Sequence, residues 1–381
     1  MKILYHHRIA SKDGQYVHVE EIINALTKQG HDIHIVAPQV AENSEFGSDG
    51  GWVDALKSKL PQFFYEILEF GYAFYAFFKL ALAIIKFKPD VIYERYNLFL
   101  PAGIWASRVF SIPLQLEVNA PLYQERKKYD GISLDWLAKW SQNYCWRNAN
   151  KALPVTNVLA DYLRDVGVKE SSIEVIPNGI NEEVFYAPTH KPAELPDLTG
   201  KTVIGFVGFV REWHGLDRVL EVMKTFNDPS LYFLIIGDGP AVENLKKQAQ
   251  TLGLSDQVYV SGIIQRADMP NWVSQIEIAL QPDVVSYASP LKMLEYLALG
   301  KAIIAPNTDN IKELLTDNEN AVLFDVNNSS DFSDKLVQLL GSSELRVRLS
   351  KAAADAIKNQ SLTWHNNGLR IVTLFEELKN E

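Results

Sequence analysis

The segment Ser289-Pro290-Leu291-Lys292-Met293-Leu294-Glu295 carries the most pointed chemistry in this chain. Ser289 is a good helix N-cap and Pro290 suits a first helical position. Gly300 would close the helix. Lys292 then falls in the first turn, where the helix dipole disfavours a cation. An anion docked at that end removes the conflict. The free N–H groups of Leu291 and Lys292, with the lysine charge, could grip a diphosphate. Glu295 follows one turn later on the same face, where its carboxylate could accept hydrogen bonds from both hydroxyls of a ribose. The same spacing is met equally well by an exposed i,i+3 ion pair between Lys292 and Glu295, worth only ~0.2–0.5 kcal/mol.

Four more segments invite a ligand, each with a plainer alternative. Gly205-Phe206-Val207-Gly208 ends a strand and runs on through Arg211 to His214-Gly215. Gly208 could admit a ligand close to the backbone, Arg211 could bind phosphate bidentately, and His214 could donate to it. A tight turn with a solvated arginine explains the same residues. Ile235-Ile236-Gly237-Asp238-Gly239-Pro240 is another strand-to-helix passage, where Gly237 reads as a turn first and a phosphate approach second. Asp13-Gly14-Gln15-Tyr16 follows the first strand, and Gly14 could turn amides toward a phosphate or simply start a helix. Glu117 and Asn119 fall on one side of a strand end, and Tyr93-Glu94-Arg95-Tyr96 ends a neighbour. Glu117, Asn119 and Arg95 are candidates for acceptor hydroxyls, or else anchors of a hydrogen-bonded loop. No H-E-x-x-H, C-x-x-C, Asp-x-Asp, G-x-S-x-G or P-loop pattern occurs, and no G-x-G-x-x-G. A metal centre is not expected, and a nicotinamide dehydrogenase is the least favoured enzyme.

These segments need elements to hold them. Short apolar runs alternate with helical patterns along most of the chain. Strands are expected at Ile3–Tyr5, Asp32–Ala37, Val91–Tyr93, Leu114–Val118, Ala152–Val155 and Ile173–Ile176. A second series covers Val203–Val207, Leu231–Ile236, Val258–Val260, Ile276–Leu280, Ala302–Ala305 and Ala321–Phe324. Strand–helix alternation means parallel sheets covered on both faces, and ligands of such sheets sit at the carboxyl ends of the strands. Two series predict two Rossmann-like, doubly wound α/β domains, over residues 1–185 and 186–361. The last helix, 362–381, is expected to pack back on the first.

The chain has 381 residues, 47% hydrophobic and 22% charged, with a formal net charge of -10. That composition fits a globular protein with a sizeable core, and the acidic balance argues against nucleic acid as a partner. A single cysteine, Cys145, and a first strand beginning at Ile3 without a signal-peptide pattern predict a cytoplasmic protein. Residues 63–87 are rich in Phe, Tyr, Leu and Ile, but the longest uncharged run is only Phe70 to Phe78, short of a span. Burial, as a helix pair, is the favoured expectation; peripheral contact with a membrane surface beside Lys79, Lys86 and Lys88 is the alternative.

In this order the segments resemble the retaining glycosyltransferases of family 4 (group 1), which have the GT-B architecture. The match runs through Asn178-Gly179-Ile180-Asn181 at the seam, Phe206-Val207-Gly208 with His214-Gly215, the Gly237-Asp238-Gly239-Pro240 turn and the glutamate helix. The resemblance implies a donor cleft between the two domains and a nucleotide-sugar donor held mainly by the second. Glu295 would bind the ribose. Arg211, Lys292 and the residues Ser289, Pro290 and Leu291 would bind the diphosphate, with Gly208, His214 and Gly237 beside them and Gly14 approaching from the first domain. It further implies no metal or cofactor, and attack by a sugar or lipid-linked acceptor on the face the diphosphate leaves. Three positions depart from the common pattern: Tyr287 replaces a glutamate, His214 a lysine and Asn119 a histidine. They recur together in one branch of the family and read as its character. If His214 binds phosphate as a charged donor, activity should fall as pH rises through the imidazole range. The expected function is transfer of a sugar in exopolysaccharide, glycolipid or natural-product assembly. The alternatives are a non-catalytic subunit of the same fold, which Tyr287 and Asn119 favour, and a nucleotide-sugar epimerase.

Overall fold

The computed structural model describes residues 1–9, 14–38, 60–185, 188 and 190–380. The chain forms two compact units, Met1–Pro177 with Trp364–Glu381, and Asn178–Thr363.

The first unit is built on β1 (Lys2–His6), α1 (Gly14–Lys28), β2 (Asp32–Val36), α2 (Gln62–Phe87), β3 (Val91–Arg95) and α3 (Ala102–Phe110). It continues with β4 (Leu114–Val118), α4 (Leu122–Tyr129), α5 (Asp135–Asn148), β5 (Lys151–Pro154) and α6 (Asn157–Asp165). The sheet runs β2-β1-β3-β4-β5 and every pairing is parallel. Strands β3 and β4 are buried at every position, as a parallel sheet with helices on both faces requires. Cys145 lies inside α5 with no exposure and is a core thiol.

The expected strand Ile173–Ile176 is reduced to an isolated bridge between Ala152 and Ile173. Glu174 N–H donates to the Ala152 carbonyl and Ile176 N–H to that of Pro154, both at 3.0 Å. The bond between them would need an N–H from residue 154. Pro154 has none, so the ladder breaks there.

The segment 63–87 is also different from the favoured expectation. It is one continuous helix, α2, of 26 residues, long and apolar enough by length and composition to cross a membrane, with 22% of its most apolar window buried. Leu80, Ala76 and Ala73 face inward with Glu66, while Phe78, Leu82 and Ile85 are about 60% exposed. The inner face includes a working carboxylate. Glu66, with no exposure, accepts the N–H groups of Ser133 (3.0 Å) and Leu134 (2.6 Å) at the start of α5.

The second unit contains β6 (Thr202–Val207), α7 (Asp217–Phe226), β7 (Leu231–Ile236), α8 (Val242–Leu252), β8 (Val258–Val260) and β9 (Ile278–Leu280). It closes with α9 (Leu291–Ala298), β10 (Ala302–Pro306), β11 (Val322–Phe324), α10 (Asp331–Leu340) and α11 (Ser343–Asn359). Its sheet runs β11-β10-β9-β6-β7-β8, again all parallel. Two apolar clusters cover it, one with Met293, Leu297 and Ile303 and the other with Phe206, Leu220 and Phe233. Gly205 is needed inside β6, because a Cβ there would stand 2.3 Å from the Ile276 side chain.

The division between the units falls earlier than residue 185. Asn178 donates through its side chain to the Ser289 carbonyl (2.6 Å), and Ile180 bridges Thr363, so both belong with the second sheet. The final helix, α12 (Trp364–Asn380), belongs to the first unit. Gln29 donates to the His365 carbonyl (2.8 Å), Gln115 to that of Ile371 (3.0 Å), and Lys379 pairs with Asp90 (3.1 Å).

Candidate functional site

In the second unit the candidate residues gather where β6, β7 and β9 end and α9 begins. Helix α9 starts one position later than its sequence suggests. Pro290 is the N-cap, Leu291 the first helical residue, and no side chain caps the end. Ser289 cannot cap, because its buried hydroxyl accepts the Asn178 N–H (3.2 Å). The outcome for a ligand is the same. Met293 N–H bonds the Pro290 carbonyl (3.1 Å), which leaves the N–H groups of Leu291 and Lys292 for an incoming acceptor. At the far end Gly300 takes φ +57° and stops the helix.

Lys292 and Glu295 do not form the exposed ion pair that was the plain alternative. Lys292 is half-buried, and its ammonium sits 4.2 Å from the centre of the Phe206 ring. Glu295 is 7% exposed, and the nearest cation to its Oε1 is the Arg266 guanidinium at 3.9 Å. Burial pushes the Lys292 ammonium down to about 8 and the Glu295 carboxyl up to about 7. Glu295 is thus buried with only a long ion pair, and Lys292 rests on an aromatic face in place of an anion. That arrangement is costly in a bare protein and suits a site that receives charge and hydroxyls from a ligand.

Gly208 ends β6 beneath this lysine, at φ +131°; a Cβ there would lie 3.2 Å from Lys292 Nζ. Gly237 has a packing role. Its φ is +141°, and a Cβ would lie 2.1 Å from the Gly208 carbonyl oxygen. The two loops are laced together by Gly208 N–H to Ile236 (2.9 Å) and Val210 N–H to Asp238 (2.8 Å). Arg211 is exposed, with its guanidinium 5.3 Å over the Phe209 ring.

His214 overturns the expectation of a charged donor. It is buried between Phe206 (4.8 Å between ring centres) and Trp213 (3.9 Å). Its Nδ1 accepts the Arg211 N–H (3.1 Å), so in the neutral ring the proton sits on Nε2. Burial, and then the Lys292 charge, push it down to about 3. It can donate, but as a neutral ring.

Two residues that were not singled out position the site. Tyr296, next to Glu295, accepts the Val207 N–H (3.0 Å) and donates to the Leu280 carbonyl (3.3 Å), pinning α9 to the ends of β6 and β9. Asn310 donates to the carbonyls of Val285 (3.2 Å) and Ala288 (2.8 Å) and so braces the loop that carries Tyr287 and Ser289. A tyrosine beside the glutamate was the only local signal for the first. The second has none, since its partners are loop carbonyls.

In the first unit the structure favours the anchor reading. Glu117 accepts from Arg95 (2.5 Å), Tyr93 (2.9 Å), His18 Nε2 (3.1 Å) and Asn119. Four donors fill the carboxylate, and although burial opposes ionisation, the neighbouring His18 and Arg95 hold it well below the usual carboxylate range. Arg95 and Asn119 are both engaged with Glu117. Gly14 is the first residue of α1, and Asp13 lies outside the described residues.

Comparison with known proteins agrees with this geometry. The family profile for glycosyl transferases group 1 matches residues 189–356, and that for glycosyltransferase family 4 matches residues 12–184. The alpha-D-kanosaminyltransferase of Streptomyces kanamyceticus is 22% identical over 65% of this chain and 66% of its own length. The alpha-monoglucosyldiacylglycerol synthase of Streptococcus pneumoniae is 24% identical over 77% of this chain and 67% of its own. Among solved structures, HepE of Anabaena in complex with UDP superposes with a TM-score of 0.73 at 16% identity, covering 99% of this chain and all of that one. Two parallel-sheet units with a bare helix start above the strand ends, and profiles that together run from residue 12 to residue 356, lead to one conclusion: this chain belongs to the family 4, group 1 glycosyltransferases of the GT-B architecture.

Proposed function

We propose that the protein is a retaining hexosyltransferase that binds a nucleotide-diphosphate sugar on its second unit and works without a metal. The observation that carries this reading is the uncapped start of α9, with half-buried Lys292 in its first turn and buried Glu295 one turn on. The Leu291 and Lys292 amides, the Lys292 ammonium and exposed Arg211 hold the diphosphate. Gly208 leaves room for it against the backbone, and His214 donates from Nε2. Glu295 takes the ribose hydroxyls. Ser289 and Pro290 set the helix start, and Gly237 keeps the Gly208 loop in place.

These groups stabilise the charge that develops as the bond between the sugar C1 and the diphosphate oxygen breaks. The acceptor hydroxyl forms its bond to C1 on the same face, and its proton passes to the departing diphosphate. Neutralisation by Lys292, Arg211 and the helix amides leaves no task for a divalent ion, so turnover should persist in EDTA. The acceptor is a sugar or a lipid-linked acceptor, and the setting is cytoplasmic exopolysaccharide, glycolipid or natural-product assembly. The alpha-monoglucosyldiacylglycerol synthase among the relatives supports the lipid choice. The HepE complex makes UDP the first nucleotide to try.

The test is a thermal-shift series with UDP, GDP, ADP, dTDP and CMP on the wild type and on Glu295→Ala. A ligand at about 100 times its Kd adds ~2.7 kcal/mol of stability. One nucleotide shifting the wild type and not the variant is the expected result. No shift with any nucleotide would overturn the reading and bring the non-catalytic subunit forward.

A further inference from the structure

Helix α2 presents an apolar stripe that the described chain leaves more than half exposed. Phe64, Leu68, Phe74, Phe78, Leu82 and Ile85 are each more than half exposed, and they recur along its whole length. At 26 residues the helix is about 39 Å long. A helix that is apolar on both sides is ordinarily wrapped by other protein or by lipid.

The charges of α2 are sorted by face. Its acids point inward: Glu66 caps α5, and Glu69 is paired with Arg8 (3.1 Å) and Arg126 (2.6 Å). Its lysines point outward. Lys79 and Lys86 are exposed, and at 3.6 residues per turn they lie roughly 80–100° round the helix from Phe78, at the rim of the stripe. Exposed Lys88 follows at the C-cap. An apolar face with a rim of lysines is the pattern of a helix lying in the interfacial plane of a membrane. Anionic headgroups answer the lysines. A second copy of the chain would not, because α2 offers no exposed acid to pair with them.

We propose that α2 is a membrane-docking element, which beds its Phe78–Leu82–Ile85 side into the surface of an anionic bilayer while its lysine rim contacts lipid phosphates. The helix lies along the surface and does not cross. Its other side is the inner wall of the first unit, and crossing would strip Glu66 of both its hydrogen bonds and Leu80 of its packing. The inference is independent of the donor site and stands whether or not the second unit binds a nucleotide sugar.

The test is co-sedimentation of the full chain with vesicles of phosphatidylcholine alone and of phosphatidylcholine with phosphatidylglycerol. The wild type should pellet with the anionic vesicles, less at high salt, and stay in solution with the neutral ones. Each basic residue near an anionic surface contributes about fivefold in affinity. Lys79→Glu/Lys86→Glu/Lys88→Glu should therefore lose roughly a hundredfold or more. Phe78→Ser/Leu82→Ser/Ile85→Ser should stay in solution at any salt, with circular dichroism and Tm as controls for folding. Both variants change exposed residues only, and the lysine variant leaves every apolar contact intact. The proposal fails if the wild type ignores both vesicles or if both variants pellet like the wild type. It also fails if the wild type is a dimer that the serine variant turns into a monomer without any vesicle binding. That last result would assign the stripe to a second copy.

Discussion

Glu295 destabilises the bare protein, and the sign of its pH dependence shows how. Burial holds its carboxyl at about 7, against 4.5 for the ordinary group. Between those values the folded chain keeps the proton and the unfolded chain has lost it. Stability therefore falls as pH rises from about 4.5 to about 7 and is level above. Glu295→Gln removes this term. The ligand-free variant should be more stable than the wild type by ~3 kcal/mol at pH 8, with the difference shrinking to nothing below pH 4.5. Urea unfolding across that range reads it directly, and a difference independent of pH would mean that the carboxyl does not titrate as described. His214 gives the complementary prediction. Since it donates as a neutral ring, a glutamine amide can replace its Nε2–H. His214→Gln should lower kcat/KM modestly and keep the shape of the pH–rate curve. A limb in the imidazole range that is present in the wild type and missing in the variant would restore the charged-donor idea.

At the scale of elements, two changes probe how the site is held. In Gly237→Ala the new methyl would meet the Gly208 carbonyl, and the segments that follow β6 and β7 would have to separate. A cost of about 1–3 kcal/mol is expected in Tm or urea midpoint, together with weaker UDP binding, because Gly208 moves with it. Glu66→Ala leaves the Ser133 and Leu134 amides without their acceptor, at ~3 kcal/mol. These cases also show what was legible in advance. Strand positions were, because β6 and β7 read as nearly unbroken apolar runs, and β3 and β4 keep their apolar residues although Glu94, Arg95, Gln115 and Glu117 interrupt them. The break at Ile173–Ile176 was signalled by Pro154, whose missing N–H matters only once its ladder partner is known. The spacing of Lys292 and Glu295 was legible because helix geometry is local. The Ser289 cap was misread since Asn178, far off in sequence, claims its hydroxyl. Glu117 was open to both readings because three of its four donors come from two distant segments, His18 of α1 and Tyr93 and Arg95 of β3. The length and apolarity of α2 could be counted, but periodicity cannot say which of two apolar faces meets protein.

At the scale of the whole molecule, the chain has two sheets with separate cores, and it passes from one unit to the other after Pro177 and after Thr363. Gly208, Arg211, His214, Lys292 and Glu295, the residues proposed to hold the donor, all lie in the second unit. A nucleotide that binds only there lowers the free energy of that unit's native state, and suppresses openings that expose the bound groups. Saturating UDP should therefore slow amide exchange in Gly208–Gly215 and Leu291–Leu299, and through Tyr296 at Val207, whose N–H the tyrosine hydroxyl accepts. The β1, β3 and β4 amides should exchange as before. Adding the sugar to the nucleotide extends the contact to whatever groups meet the transferred residue. Protection that newly appears at Gly14 and the start of α1 would then add that segment to those that respond to the donor. Hydrogen exchange with UDP and with UDP-sugar, read by peptide, separates the two cases. If UDP alone protected both sheets equally, the units would not open independently, and the assignment of donor binding to the second unit would have to rest on substitutions alone.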